Sequence, residues 1–140
     1  MTDISVLTTV SQVEKRSWLL SPHGTDPGTT PSVTLDPTKF TAGTHYPNGY
    51  VPSGTIVSQV TATGLYGPYD STATDGREIV TSGRIGILFG SLPVRAGSTK
   101  IGGAIVVHGF VNPAKLPFQS GTGSLTAGAR TALPLIHFSA

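Results

Sequence analysis

Residues 50–70 read YVPSGTIVSQVTATGLYGPYD, and residues 101–111 read IGGAIVVHGFV. Between them lie short β-branched runs punctuated by glycine. β-Branched side chains favour extended backbone. Glycine inside such a run marks a bulge, a bend or the close approach of another part of the chain. The stretch therefore predicts one β-rich body over residues 50–111. The chain before it reads as an arm, and the chain after it reads as a cap that packs back on.

Inside the body, TIVSQV at 55–60 and RIGILF at 84–89 are predicted strands. The unbroken run Ile105, Val106, Val107 has the pattern of a strand buried on both faces. Gly64, Gly67, Pro68 and Asp70 predict a broad turn over 61–74, with Leu65, Tyr66 and Tyr69 pointing back. DGR at 75–77 is a second turn, and 78–80 reads as the start of a strand. Beyond the body, NPAKLP turns the chain at 112–117. LTAGARTAL at 125–133 reads as a short helix weakened by Gly128, and PLIHFSA as a terminal strand.

The arm has three parts. In MTDISVLTTVSQVE, Ile4 and Val6 alternate with polar residues, and Val10 and Val13 follow. This predicts a short strand with no hairpin partner nearby, so its pairing comes from elsewhere. Next comes EKRSWLL, with the chain's one tryptophan. Trp18, Leu19 and Leu20 read as packing against the body or a neighbour. A second, overlapping reading makes Trp18 an anchor that docks the arm on a partner, since tryptophan is favoured at such contacts. Residues 21–37, rich in proline and glycine, read as a linker or extended loop. The expected division is an arm at 1–38, partly flexible when the protein is alone, and a β-rich body at 39–140.

The 140 residues suit one domain. Only 11% are charged, which leaves little electrostatic self-repulsion and little solubilising cover. That points to an oligomer or an assembly subunit, although serine and threonine alone would also keep such a chain in solution. The nine Lys and Arg are scattered, and only Lys15 and Arg16 are adjacent. A nucleic-acid groove wants a dense basic stripe with stacking aromatics, so direct nucleic-acid binding is not expected. The absence of cysteine excludes disulfides and thiolate metal sites. No basic n-region opens the chain and no apolar stretch approaches a membrane span, so the protein is expected to work in water.

Asp70, Asp75 and Glu78 form the one local acidic cluster, and they fall among turn residues. A solvated turn fits them better than a hydrolase pair, and their spacing is not that of an EF-hand. His23, His45, His108 and His137 make no HExxH pattern. His23 is expected in solvent, and His108 as a satisfied core or interface residue. No GxSxG elbow and no GKS/T phosphate loop occurs. No catalytic, metal or cofactor residue is assigned, and enzyme activity is not expected.

Taken in order, VPSGTIVSQV, TGLYGPYD, TDGR, GRIGILFGSLPV, GGAIVVHGFVNPAKLP, an Ala-rich stretch and LPLIHF resemble the head decoration proteins of tailed bacteriophages of the lambda type. The resemblance covers roughly residues 50–138, and its specificity lies in the order of the pieces. It implies a small mixed β-barrel-like body with little helix and an extended N-terminal arm. It also implies a homotrimer on the outside of the expanded capsid at three-fold sites. There it would bind the phage's major capsid protein and hold the shell against internal DNA pressure. The host cytoplasm would be the place of assembly. The arm would order on the shell and add to a capsid sheet, which makes Ile4, Val6, Val10, Trp18 and Leu19 candidate capsid contacts. This arm is longer than in the simplest lambda-type member. Its Pro-Gly segment has three courses open: over the capsid, across to a neighbouring trimer, or against its own trimer. The rival expectation is a carbohydrate- or cell-surface-binding head ornament. It would need Tyr46, Tyr50, Tyr66 and Tyr69 in an outward row.

Overall fold

The computed structural model describes residues 16–26, 28–81 and 83–139. The strand expected over residues 1–14 lies outside them. The elements, in chain order, begin with β1 (Ser32–Leu35), a 3-10 turn (Pro37–Lys39) and α1 (Ala42–His45). Then come β2 (Tyr50–Val51), β3 (Ile56–Gln59), β4 (Tyr66–Pro68), β5 (Ile85–Leu88), β6 (Leu92–Pro93) and β7 (Ile101–Val106). β8 (Gly109–Val111), a second 3-10 turn (Pro113–Lys115), α2 (Ala127–Ala132) and β9 (Ile136–Phe138) complete the series.

Five strands close a barrel in the order β1-β4-β3-β5-β7. Only β1 and β4 run parallel, meeting at Leu35 and Tyr66. The other four seams are antiparallel. β2 with β6, and β8 with β9, form two further two-stranded sheets. Closure leaves the five barrel strands no free edge, which is how a small β body avoids pairing with other chains. The fold is thus a small mixed β-barrel with two short helices, as the sequence predicts.

Side chains alternate across a strand, and here both faces are buried. Val33, Leu35, Val57, Tyr66, Leu88 and Ile105 belong to one cluster, to which all five barrel strands contribute. That cluster is the barrel interior. Ile56, Ile85, Ile87 and Val106 point the other way, under a cap made by Trp18, Tyr69, Val111, Leu116, Ala129, Ala132, Leu133 and Ile136. The run IGIL in β5 is therefore buried at every position. Fully burying an Ile or Leu side chain contributes about 1.5–3 kcal/mol, so a strand covered on both faces gains twice over. Gly86 fills the role expected of a glycine in a strand: a Cβ there would sit 2.6 Å from Ile105 Cδ1.

The structure departs from the sequence reading in three places. Residues 32–35, on the arm side of the boundary expected at 38, form β1 and pair with β7 from Ser32↔Ala104 to Leu35↔Ile101. Pro31 and Pro37 flank this run and give it the look of linker, and its partner lies far along the chain. Residues 66–68, expected inside a turn, are β4. β1 pairs with β4 only at Tyr66, so no ladder bond on that side requires the N–H that Pro68 lacks. Residues 78–80, expected to start a strand, remain in a turn closed by the Ile79 amide on the Gly76 carbonyl, 3.1 Å. Ile79 and Val80 are exposed there.

Candidate functional site

The segment 16–20 lies beside β8 and holds a tight turn closed by the Leu19 amide on the Arg16 carbonyl at 3.0 Å. Leu19 bridges Val111 in the antiparallel sense. The Leu20 amide donates to the Phe110 carbonyl at 3.0 Å, and the Asn112 amide donates to the Trp18 carbonyl at 2.8 Å. Trp18 is 1% exposed. Its Nε1–H donates to Ser53 Oγ at 3.2 Å, and Ser53 Oγ donates to the Phe89 carbonyl at 2.7 Å. The left-handed Gly54 (φ +96°) leaves the ring its space, since a Cβ there would stand 2.9 Å from Nε1. Arg16 donates from Nε to the same Phe89 carbonyl at 2.9 Å and lays its guanidinium 4.3 Å from the Phe89 ring centre.

Trp18 therefore spends its ring on its own chain, and Leu19 is half-buried against the same cluster. Neither side chain is laid out on the surface. Ile4, Val6 and Val10 lie outside the described residues. What Trp18 does is fix the segment 16–20 against the body.

The histidines take three kinds of place. His45 is buried between Phe40 and Phe118, with ring centres 5.6 and 5.5 Å away. The Thr41 amide donates to its Nδ1 at 2.8 Å, so the neutral ring carries its proton on Nε2, 2.7 Å from Thr122 Oγ1. Burial pushes its pKa below 6.5, against the opposing pull of the Thr122 contact. His23 is exposed, as expected, but it is not alone. Its ring stands 4.8 Å from that of His108 and 6.0 Å from Phe110, and Phe110 in turn lies 5.8 Å from His137. Nothing in the spacing 23, 108, 137 points to this meeting, which long-range pairing produces.

The acids expected in a turn are in one. Asp70 accepts from the hydroxyl and amide of Thr72 at 2.7 and 2.9 Å, which hold its carboxyl below the usual range. Partial burial pushes Asp75 up, but the amide and guanidinium of Arg77 and the ammonium of Lys39 outweigh it and bring it down. Arg77 Nε is 3.1 Å and Lys39 Nζ 3.3 Å from Asp75 Oδ2. Glu78 accepts from the Gly76 amide at 2.9 Å. Each carboxylate is thus engaged by its own turn or by nearby cations. Among the described residues no group of three or more His, Asp or Glu is placed to hold a metal ion, and no helix is long and apolar enough to cross a membrane. Tyr66 and Tyr69 are buried, and Tyr46 and Tyr50 half-buried, so the four make no outward row.

The geometry describes a small closed barrel with the segment 16–20 bonded to β8. Residues 28–137 match the family model of the bacteriophage lambda head decoration protein D, and the chain belongs to that family. It is a capsid-associated structural protein of a phage head. The search of curated proteins and the search of solved structures each found no match.

Proposed function

We propose that the chain works as a homotrimer on the outer surface of the expanded head, at its three-fold positions. There residues 1–15 pair with strands of the major capsid protein, and the trimer holds neighbouring subunits together against the pressure of packaged DNA. A ligand that binds only the assembled state shifts stability toward that state, so no covalent step is needed. In this reading the protein has no catalytic residue, cofactor, nucleic-acid contact or membrane contact.

One observation carries the reading. The segment 16–20 is bonded to β8 through Leu19, and the sequence upstream of it is a β-branched run with no hairpin partner nearby. Strand addition to another sheet would satisfy the backbone of such a segment, and many symmetric copies would offset the entropy of ordering it.

The informative truncation starts at Arg16. A cut at residue 20 would remove Trp18 from the core, and one near residue 38 would remove β1. Light scattering should give three chain masses for the full chain and for the truncated one. Co-sedimentation with expanded, undecorated shells should be at least about tenfold weaker for the truncated chain, equal to about 1.4 kcal/mol. Undiminished binding would remove the arm from the mechanism, and a monomeric mass for both would remove the trimer.

A further inference from the structure

The chain holds two asparagines, Asn48 and Asn112, and one Asp–Gly pair, Asp75–Gly76. Asparagine is thermolabile because the backbone nitrogen of the next residue can attack its side-chain carbonyl. The attack needs an N–H on the following residue, little bulk there, and a side chain free to swing. Asn112 fails on the first and the last. Pro113 follows it and has no N–H. Asn112 is also buried, and its Oδ1 accepts from the Ala114 amide at 3.0 Å. At Asp75–Gly76 both partners are engaged. Arg77 and Lys39 hold the Asp75 carboxylate, and the Gly76 amide donates to Glu78. Asn48 meets all three needs. Gly49 follows it, both are exposed, and the Asn48 carboxamide makes no hydrogen bond. Gly49 is left-handed (φ +84°), and a Cβ there would meet nothing within 4 Å, so no neighbour screens its amide. The one brake is the turn bond from the Gly49 amide to the Tyr46 carbonyl, 3.0 Å. Bonds in exposed turns open at far lower cost than the whole fold.

We propose that Asn48 is a self-modification site, where the chain converts to aspartate and isoaspartate and so loosens β2 from β6. The Gly49 nitrogen gives its proton to hydroxide and bonds to Asn48 Cγ. The Cγ–Nδ2 bond breaks, and Nδ2 leaves as ammonia with a proton from water. The cyclic imide then takes up water at one of its two carbonyls. Opening at Cγ leaves aspartate. Opening at the main-chain carbonyl leaves isoaspartate, in which the backbone runs through Cγ. Water is the only co-reactant. Either product adds a negative charge to a chain of net charge +2. Isoaspartate also inserts a methylene group into the main chain. Directly beyond it, the Gly49 carbonyl accepts from the Val94 amide at 2.9 Å, Tyr50 pairs with Pro93, and Val51 pairs with Leu92. Val51 is fully buried in the cluster that fills the barrel. The inserted group moves the Gly49 carbonyl off Val94, and a sheet of two-residue strands has little else to hold its register. The reaction depends on the turn at 46–49 and not on what the body binds.

The test is to age the full chain at pH 8 and at pH 6 and to follow two tryptic peptides by mass spectrometry, with a fresh sample digested alongside. Residues 40–77 carry Asn48, and residues 101–115 carry Asn112. Conversion of amide to acid should be at least about tenfold faster in the first peptide than in the second. It should also be faster at pH 8 than at pH 6, because the attacking nitrogen must lose its proton. Fragmentation should place isoaspartate at 48. Asn48→Gln, whose longer side chain closes a less favoured ring, should stay unconverted over the same time. In aged wild type the Val94 amide should exchange at least about tenfold faster than in the fresh chain. Aged Asn48→Gln and fresh Asn48→Asp, which carries the charge without the inserted group, should both keep the slow exchange of fresh wild type. Equal conversion of the two peptides overturns the site, since the bond to Tyr46 then holds the Gly49 amide shut. Unchanged Val94 exchange in aged wild type overturns the loosening of β2. Fast exchange in fresh Asn48→Asp assigns the loosening to charge and overturns the part given to the longer backbone.

Discussion

The barrel and the small sheet that carries the N-terminal segment are built of the same kinds of residue and put them to opposite use. In the barrel, β3, β5 and the end of β7 are covered on both sides, and every apolar side chain of β5 is out of water. Around the small sheet of β8 and β9, Trp18, Val111 and Ile136 face the core while Leu20, Phe110 and Leu135 are exposed. Closure makes the barrel self-sufficient, whereas the small sheet has an outer face still to be covered. The first region holds the fold, and the second presents apolar side chains at the surface.

The largest effects should come from the fully buried side chains of each region. Trp18→Ala should cost about 3–5 kcal/mol and Leu88→Ala about 2–5 kcal/mol, measured by denaturant unfolding. Only Trp18→Ala should also loosen the departure point of residues 1–15, read as faster amide exchange at Leu20 and Asn112 relative to Leu88→Ala. Equal exchange in the two variants would mean that the small sheet holds its strand without the indole. A middling effect is expected at the N-terminus of α2. There Thr126 Oγ1 accepts from the Ala129 amide at 3.1 Å and meets the Tyr69 hydroxyl at 3.1 Å. Thr126→Ala should cost about 1 kcal/mol, and a loss beyond about 3 kcal/mol would make the helix part of the core's foundation rather than its lid.

The smallest effect separates buried from exposed histidine. Burial holds His45 below its ordinary pKa of 6.5, so the unfolded chain binds the proton more readily than the folded one. The stability it supports is present above about pH 6.5 and is lost as pH falls from there through the folded pKa. His45→Gln should flatten that decline in thermal midpoint between pH 7.5 and 5.5. An unchanged decline in His45→Gln would mean that another group carries it.

Part of this was legible without coordinates. Ile56–Gln59, Ile85–Leu88 and the apolar end of β7 stand out because continuous β-branched runs suit strands buried on both faces. β1 was not legible, since four residues between prolines have a meaning only once β7 pairs with them. Nor was β4, whose Gly67 and Pro68 carry the signal of a turn. Of the candidate contacts, Trp18 stood out by composition, but its bond to Ser53 and its place under the cap depend on the closed barrel.

The sequence by itself determined that this is a β protein of one body with a β-branched leading segment. It also held, in the order of its short motifs, the family to which the chain belongs. These are local properties, set by side-chain branching, turn residues and their succession. The tertiary structure alone decided which apolar residues line the barrel and which meet the cap. It also decided that a tryptophan from the arm belongs to the core, and that His23, His108 and His137 share one face. Those outcomes depend on pairings between residues far apart in the chain, and the period of a strand carries no record of its partner.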